Sequence, residues 1–217
     1  MCERMKNDKS LIDFTIAVNP LGPSRKVRQS LRKGIKKLAI FPDKNIKPLK
    51  RYISARESIR ESNILFGYGS TSLLRLLILT IKPKNVLFLA PLSRKRSEIF
   101  ENANIGFCSF PLAQENNFII DSRKFITAME SADFIYLINP HDVTGTTLSL
   151  KEMEVLINES EKQNKIFVID EAYGEFTGNE SPVTHAVRSQ NVFIVRTFST
   201  FHGLAGLRAG YMIGPQH

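Results

Sequence analysis

Short apolar runs recur along the chain and predict seven strands, at residues 64 to 67, 85 to 91, 105 to 112, 133 to 139, 166 to 170, 192 to 198 and 207 to 213. Between them lie segments with helical signals. From Ser24 to Ala39, Val27, Leu31, Ile35 and Leu38 fall on one side of a helix that Ser24 can cap. Leu73 to Ile81 follows a glycine turn, Ser122 to Ser131 joins two strand candidates, and Ser149-x-x-Glu152 is a capping box for a helix through Asn164. Strands alternating with helices of this length argue for an α/β domain with a parallel sheet covered on both faces. No repeat or low-complexity segment interrupts the alternation.

Charge changes this picture at one end. Residues 1 to 60 carry 16 Lys and Arg against 5 Asp and Glu, whereas residues 61 to 217 carry 14 against 16, so the whole excess of +9 is N-terminal. We therefore divide the chain into a basic arm with helices, 1–60, and the main sheet unit, 61–217, expected to form a single structural unit. The amphipathic pattern of Ser24 to Ala39 favours a solvated helix face over nucleic-acid binding; a small anion or a partner subunit are the other candidates for a basic face. Cys2 and Cys108 have neither metal-binding nor disulfide spacing, so no metal is expected and the reducing cytoplasm is the expected compartment. Met1 to Ser10 is too polar for a secretory signal, and Leu73 to Ile81 is short and contains Arg75, so no membrane segment is expected.

Candidate chemistry sits where the apolar pattern breaks. Ser199 and Arg208 flank a turn containing Gly203 and Gly206, and a guanidinium fork beside glycine-opened backbone suits a phosphate; a plain loop accounts for these residues equally well. Gly67-Tyr68-Gly69-Ser70-Thr71 joins a strand to a helix, whose first N–H groups, at Ser70 and Thr71, can hold a phosphate aided by the helix dipole. A dinucleotide fold competes for this turn and loses, because Ser72 stands at the third-glycine position and the next strand ends without Asp or Glu. The loop Asn139 to Gly145, with Asp142, satisfies an ordinary surface turn. An apolar strand running into Asp170-Glu171-Ala172-Tyr173 is satisfied by a capping carboxylate.

Ser199 to Tyr211 nevertheless resembles the motif S-K-x-x-x-L-A-G-L-R-x-G-Y of class I/II aminotransferases, the fold type I enzymes that use pyridoxal 5'-phosphate (PLP). Ser199, Leu204, Ala205, Gly206, Leu207, Arg208, Gly210 and Tyr211 match. The Asn19-Pro20-Leu21-Gly22-Pro23 opening, the Gly69-Ser70-Thr71 turn, the Asn139 to Gly145 loop and Asp170-Glu171-Ala172-Tyr173 follow the family's order, and the whole is most similar to threonine-phosphate decarboxylases and histidinol-phosphate aminotransferases. The resemblance implies a three-layer, mostly parallel seven-stranded sheet, with Gly206 to Ile213 as its single antiparallel strand. It also implies cofactor contacts: Ser70, Thr71, Ser199 and Arg208 on the phosphate, Asp170 on the pyridine nitrogen, Tyr173 on the ring oxygen and Asp142 near it.

Several positions depart from the family. Thr200 stands where the cofactor-bonding lysine belongs, and a hydroxyl neither condenses with an aldehyde nor serves as a base near neutral pH. His202, two residues on, is a weak candidate to replace that base. Ser93 takes the place of the aromatic residue stacked on the ring, Asp142 that of an asparagine donating to the ring oxygen, and Phe41 that of a tyrosine reaching a neighbouring subunit's phosphate. An ionised Asp142 would repel the ring oxygen, so it is expected to be protonated or turned away if PLP binds. The sequence stops after the seventh strand, and the family's small C-terminal domain is expected to be missing. The expectation is a catalytically impaired relative with no catalytic residue, binding PLP non-covalently at most, with a small phosphorylated or amino-acid ligand. The alternatives are a partner-binding protein using the basic face, or half of a split enzyme; a homodimer or a missing-domain partner accompanies these readings.

Overall fold

The computed structural model describes residues 17–178 and 180–216; Cys2, Met1 to Ser10, the Leu11 to Phe14 segment and Asn179 lie outside them. Among the described residues, one seven-stranded sheet organises the chain, with strands β1 (Ile64–Gly67), β2 (Asn85–Ala90), β3 (Gly106–Pro111), β4 (Phe134–Ile138), β5 (Ile166–Asp170), β6 (Val192–Thr197) and β7 (Gly210–Ile213) in the spatial order β1-β7-β6-β5-β4-β2-β3. Only β7 runs antiparallel, pairing with both β1 and β6. The remaining ladders are parallel.

A parallel sheet needs cover on both faces, and the alternation of side chains supplies two cores. Ile135 and Leu137 of β4, Phe167 and Ile169 of β5 and Ile194 of β6 meet α5 (Ser122–Met129), α6 (Leu150–Lys162), α7 (Val183–Arg188) and Ile53 of α2 (Lys47–Glu57). Phe134, Tyr136 and Ile138, with Val168 and Val195, point the other way, onto α3 (Gly69–Ile81) and α4 (Arg94–Glu101). All five residues of β4 are buried, which explains why it reads as an unbroken apolar run. Helix α6 begins with both halves of its capping box formed, Ser149 accepting from Glu152 N and the Glu152 carboxylate accepting from Ser149 N. The Ser149 hydroxyl and then the Ser149 N–H, both donating to the Glu152 carboxylate, hold that carboxyl below its ordinary range.

Strands β1 and β5 coincide with their apolar runs, and the other five are one to three residues shorter. The largest difference is β7, expected from residue 207: Ala205–Leu207 instead forms a 3-10 turn and Arg208 has φ 50, so pairing starts only at Gly210. Helix α3 begins at Gly69, ahead of its apolar run. Helices α2, α4 and α7 carry little periodicity in sequence and are held by a few inward residues such as Ile53, Phe100 and Ala186. The expected helix from Ser24 is α1 (Arg25–Ile35), capped by Ser24, and it ends four residues early. None of its residues is buried; Val27, Leu31, Ile35 and Leu38, with Leu207, line an open apolar groove.

Candidate functional site

At the end of the sheet where β1 and β7 meet, Gly69 opens α3 with φ 77, and Ser70 and Thr71 complete its first turn, where N–H groups have no partner within the helix. Gly210 allows β7 to approach this turn, since a Cβ there would come within 2.9 Å of Ser70 N and 2.7 Å of Arg196 O. Arg208 reaches over the same turn: a Cβ on Gly69 would lie 3.1 Å from its Nη2. Ser199 lies on the adjoining turn, its hydroxyl 2.6 Å from Thr197 Oγ1, while Phe198 N donates to Ala209 O at 3.1 Å. A helix N-terminus and a guanidinium thus converge, and Ser199 flanks them.

Beyond β5 and β4 the polar groups are arranged differently. Asp170 is 1% exposed. Its Oδ1 accepts from Ala172 N at 3.0 Å, and its Oδ2 accepts from the Tyr136 hydroxyl at 2.6 Å and from Arg96 Nη1. Arg96 also donates to the Tyr136 oxygen at 2.6 Å, and its Nε lies 3.6 Å from Asp142 Oδ2. Ser93 donates to the same Asp142 oxygen at 2.7 Å, and Asp142 Oδ1 is buried without a partner. Burial works against the charge on Arg96, but Asp170, then Tyr136 and Asp142, outweigh it and raise its pKa above the ordinary value. Burial pushes the Tyr136 phenol well above its usual range against the pull of Arg96. Tyr173, half-buried on the turn after β5, is raised by burial as well.

Thr200 donates its hydroxyl to the Ala172 carbonyl, while its own carbonyl accepts from Asn19 N at 3.0 Å. Asn19 Nδ2 donates to Phe201 O at 2.9 Å, so the Asn19 to Gly22 opening is tied to the Thr200 turn. His202 Nε2 lies 2.9 Å from Glu175 Oε2. Phe41 is 98% exposed. Across the sheet a second arginine, Arg196, is held by Glu171 and Glu57, both at 2.8 Å, and by the Tyr211 hydroxyl at 3.3 Å, and with His202 and Glu175 it lines a cavity of about 520 Å³. Among the described residues no group of His, Cys, Asp and Glu is arranged to hold a metal, and no helix is long and apolar enough to cross a membrane.

The structure therefore brings Ser70, Thr71 and Arg208 together and joins Asp142 to Asp170 through Arg96. Against PLP, the two ends answer differently. The first has open donors suited to a phosphate. At the second, both oxygens of Asp170 are already engaged, Ser93 turns its hydroxyl to Asp142, and Thr200 has no amine; these residues do not fit the pyridine ring. Asp142 is turned inward, its Oδ2 held by the Ser93 hydroxyl and lying near Arg96 Nε. Arg96 and Tyr136 were not singled out from sequence. Arg96 sits in Arg94-Lys95-Arg96, which reads as a solvated charge run, but the phenol in the buried β4 run was a legible signal, since a buried Tyr hydroxyl needs a partner.

The family profile described as aminotransferase class I and II matches residues 9–217. Over 217 residues the chain is 29% identical to histidinol-phosphate aminotransferase of Clostridium botulinum (strain Okra / Type B1), covering 99% of this chain and 59% of that protein. The crystal structure of histidinol-phosphate aminotransferase from Clostridium acetobutylicum superposes with a TM-score of 0.83 at 25% identity, over 94% of this chain and 60% of the other. L-threonine-O-3-phosphate decarboxylase from Porphyromonas gingivalis shares the fold, with a TM-score of 0.79 at 21% identity over 94% of this chain and 60% of that one. The chain thus spans about 59% of the length of the first curated relative it matches.

Proposed function

The chain belongs to the class I and II aminotransferase family, and from that premise we propose that it is a member of the histidinol-phosphate aminotransferase and threonine-phosphate decarboxylase branch that has lost the lysine-dependent reaction and keeps an anion-binding end. One observation carries this reading: at the position of the family's lysine stands Thr200, and its hydroxyl is spent on the Ala172 carbonyl. A hydroxyl in that place neither captures an aldehyde nor moves a proton near neutral pH. His202 is a poor substitute, because its ring is already engaged, with Nε2 2.9 Å from Glu175 Oε2. What the chain retains is recognition: Ser70, Thr71, Arg208 and Ser199 surround a place for a phosphate, from the cofactor or from a small phosphorylated ligand.

The test is borohydride reduction after PLP treatment, read by peptide mass spectrometry, alongside assays of transamination and threonine-phosphate decarboxylation. The expected result is labelling of scattered surface lysines in proportion to PLP, with no saturable adduct and no turnover. One lysine labelled stoichiometrically in the unmodified chain, or turnover with Thr200 in place, would contradict the reading.

A second reading is favoured by α1, whose apolar side leaves Leu31 and Ile35 exposed, with Leu38 exposed just past its end, on a helix dense in basic residues. Such a stripe suits a protein surface, whether a second copy or a separately supplied domain. Light scattering and calorimetry decide it: self-association relieved by Leu31→Glu and Ile35→Glu supports this reading, and a monodisperse monomer at all concentrations opposes the second-copy form of it.

A further inference from the structure

Arg96 occupies a position that helix energetics does not explain. It is the third residue of α4, where a cation meets the positive end of the helix dipole, and it is 14% exposed despite being flanked by Arg94 and Lys95, both exposed. Its placement answers the carboxylates. Asp170 Oδ2, Tyr136 and Asp142 Oδ2 all lie within reach of its guanidinium, and Ile99 and Phe100 fix the body of α4 in the core behind it.

From this arrangement we propose that Arg96 is a specificity-determining residue: it supplies from within the chain the cation that Asp170 would otherwise take from a protonated pyridine ring, and thereby shuts that ring out. The inference deepens the reading above but rests on Asp170 and its partners, not on Thr200 or the phosphate end. Oδ1 of Asp170 accepts from Ala172 N, and Oδ2 accepts from both Tyr136 and Arg96, so both lone pairs of Oδ2 are taken. A ring N–H must therefore displace Arg96 before it binds. The guanidinium cannot escape by shedding its proton, and moving it away leaves a buried cation and Asp142 unpaired. Closure of the ring end is thus a property of the folded chain, and it would persist if a lysine were restored at position 200.

The test uses the full chain and pyridoxine 5'-phosphate, which has the ring and phosphate but no aldehyde to react with surface lysines, titrated by its fluorescence. In the unmodified chain, Asp170→Asn should change its affinity by less than about threefold, because Asp170 does not meet the ring. Arg96→Leu, which frees Asp170, should raise affinity by about tenfold or more, and the gain should vanish in Arg96→Leu/Asp170→Asn. Arg96→Lys, which keeps a cation, should gain nothing. The proposal is overturned if Asp170→Asn weakens binding to the unmodified chain by threefold or more, or if a cooperatively folded Arg96→Leu gains no affinity. Should Arg96→Leu fail to fold, the comparison between the unmodified chain and Asp170→Asn decides alone, and a merely structural Arg96 would leave the ring bound through Asp170.

Discussion

The two ends of the candidate site are built from the same kinds of residue to opposite effect. Near β1 and β7, glycines hold the backbone open and Arg208 reaches over the start of α3, where N–H groups have no helical partner. Beyond β4 and β5, Arg96, Asp170, Asp142, Tyr136 and Ser93 are paired with one another. The lesson concerns where a charge finds its partner. A cation over a half-open turn has no carboxylate partner among the described residues, whereas a cation enclosed with two carboxylates completes the protein itself.

That contrast is broken most severely by removing the enclosed cation. Arg96→Leu leaves Asp170 and Asp142 buried without a counter-charge, and denaturant unfolding should show a loss of about 3–5 kcal/mol. Adding Asp170→Asn should recover a substantial part of it. If the single substitution costs no more than a surface change, the ring end is not enclosed as described.

The alkaline limb of stability sharpens the comparison next. Tyr136 is raised well above its ordinary value by burial, so between its unfolded and folded pKa the native state holds a proton that the unfolded state has lost. The contribution is complete below pH 10 and is lost as pH rises from there toward the folded pKa, at about 1.4 kcal/mol per pH unit for such a phenol. Tyr173 and Tyr211, also raised by burial, act in the same direction. Thermal melts from pH 9 to 11 should fall more steeply for the parent than for Tyr136→Phe; parallel curves would remove Tyr136 from the enclosed group.

The smallest effect on the fold belongs to the open end. Arg208→Ala should weaken inorganic phosphate binding by about tenfold while changing stability by less than about 0.5 kcal/mol, as for a surface substitution, because its charge has no carboxylate partner among the described residues. An Arg188→Ala control should do neither. Equal effects of the two on phosphate binding would count against the open end as an anion site.

Much of this was legible in the sequence, and what was not follows from the physics. The seven apolar runs marked the strands because a sheet covered on both faces needs continuous apolar stretches, and β4 is the clearest instance. Asp170, Arg208 and the Gly69 turn stood out because chemistry interrupts that pattern. The short start of β7 was hidden, since nothing in Leu207-Arg208-Ala209 announces a left-handed arginine. Arg96 was hidden for another reason: its neighbours in sequence are exposed cations, and only partners 46 and 74 positions further on, Asp142 and Asp170, distinguish it from them.

The contrast between the ends is tested most directly by calorimetry on the unmodified chain with three ligands: inorganic phosphate, pyridoxine and pyridoxine 5'-phosphate. If one end is open and the other closed, phosphate carries the binding, so pyridoxine 5'-phosphate binds within about threefold of inorganic phosphate and pyridoxine shows no heat of binding. Pyridoxine 5'-phosphate binding about a hundredfold tighter than phosphate would mean that the ring is received, and would contradict the account.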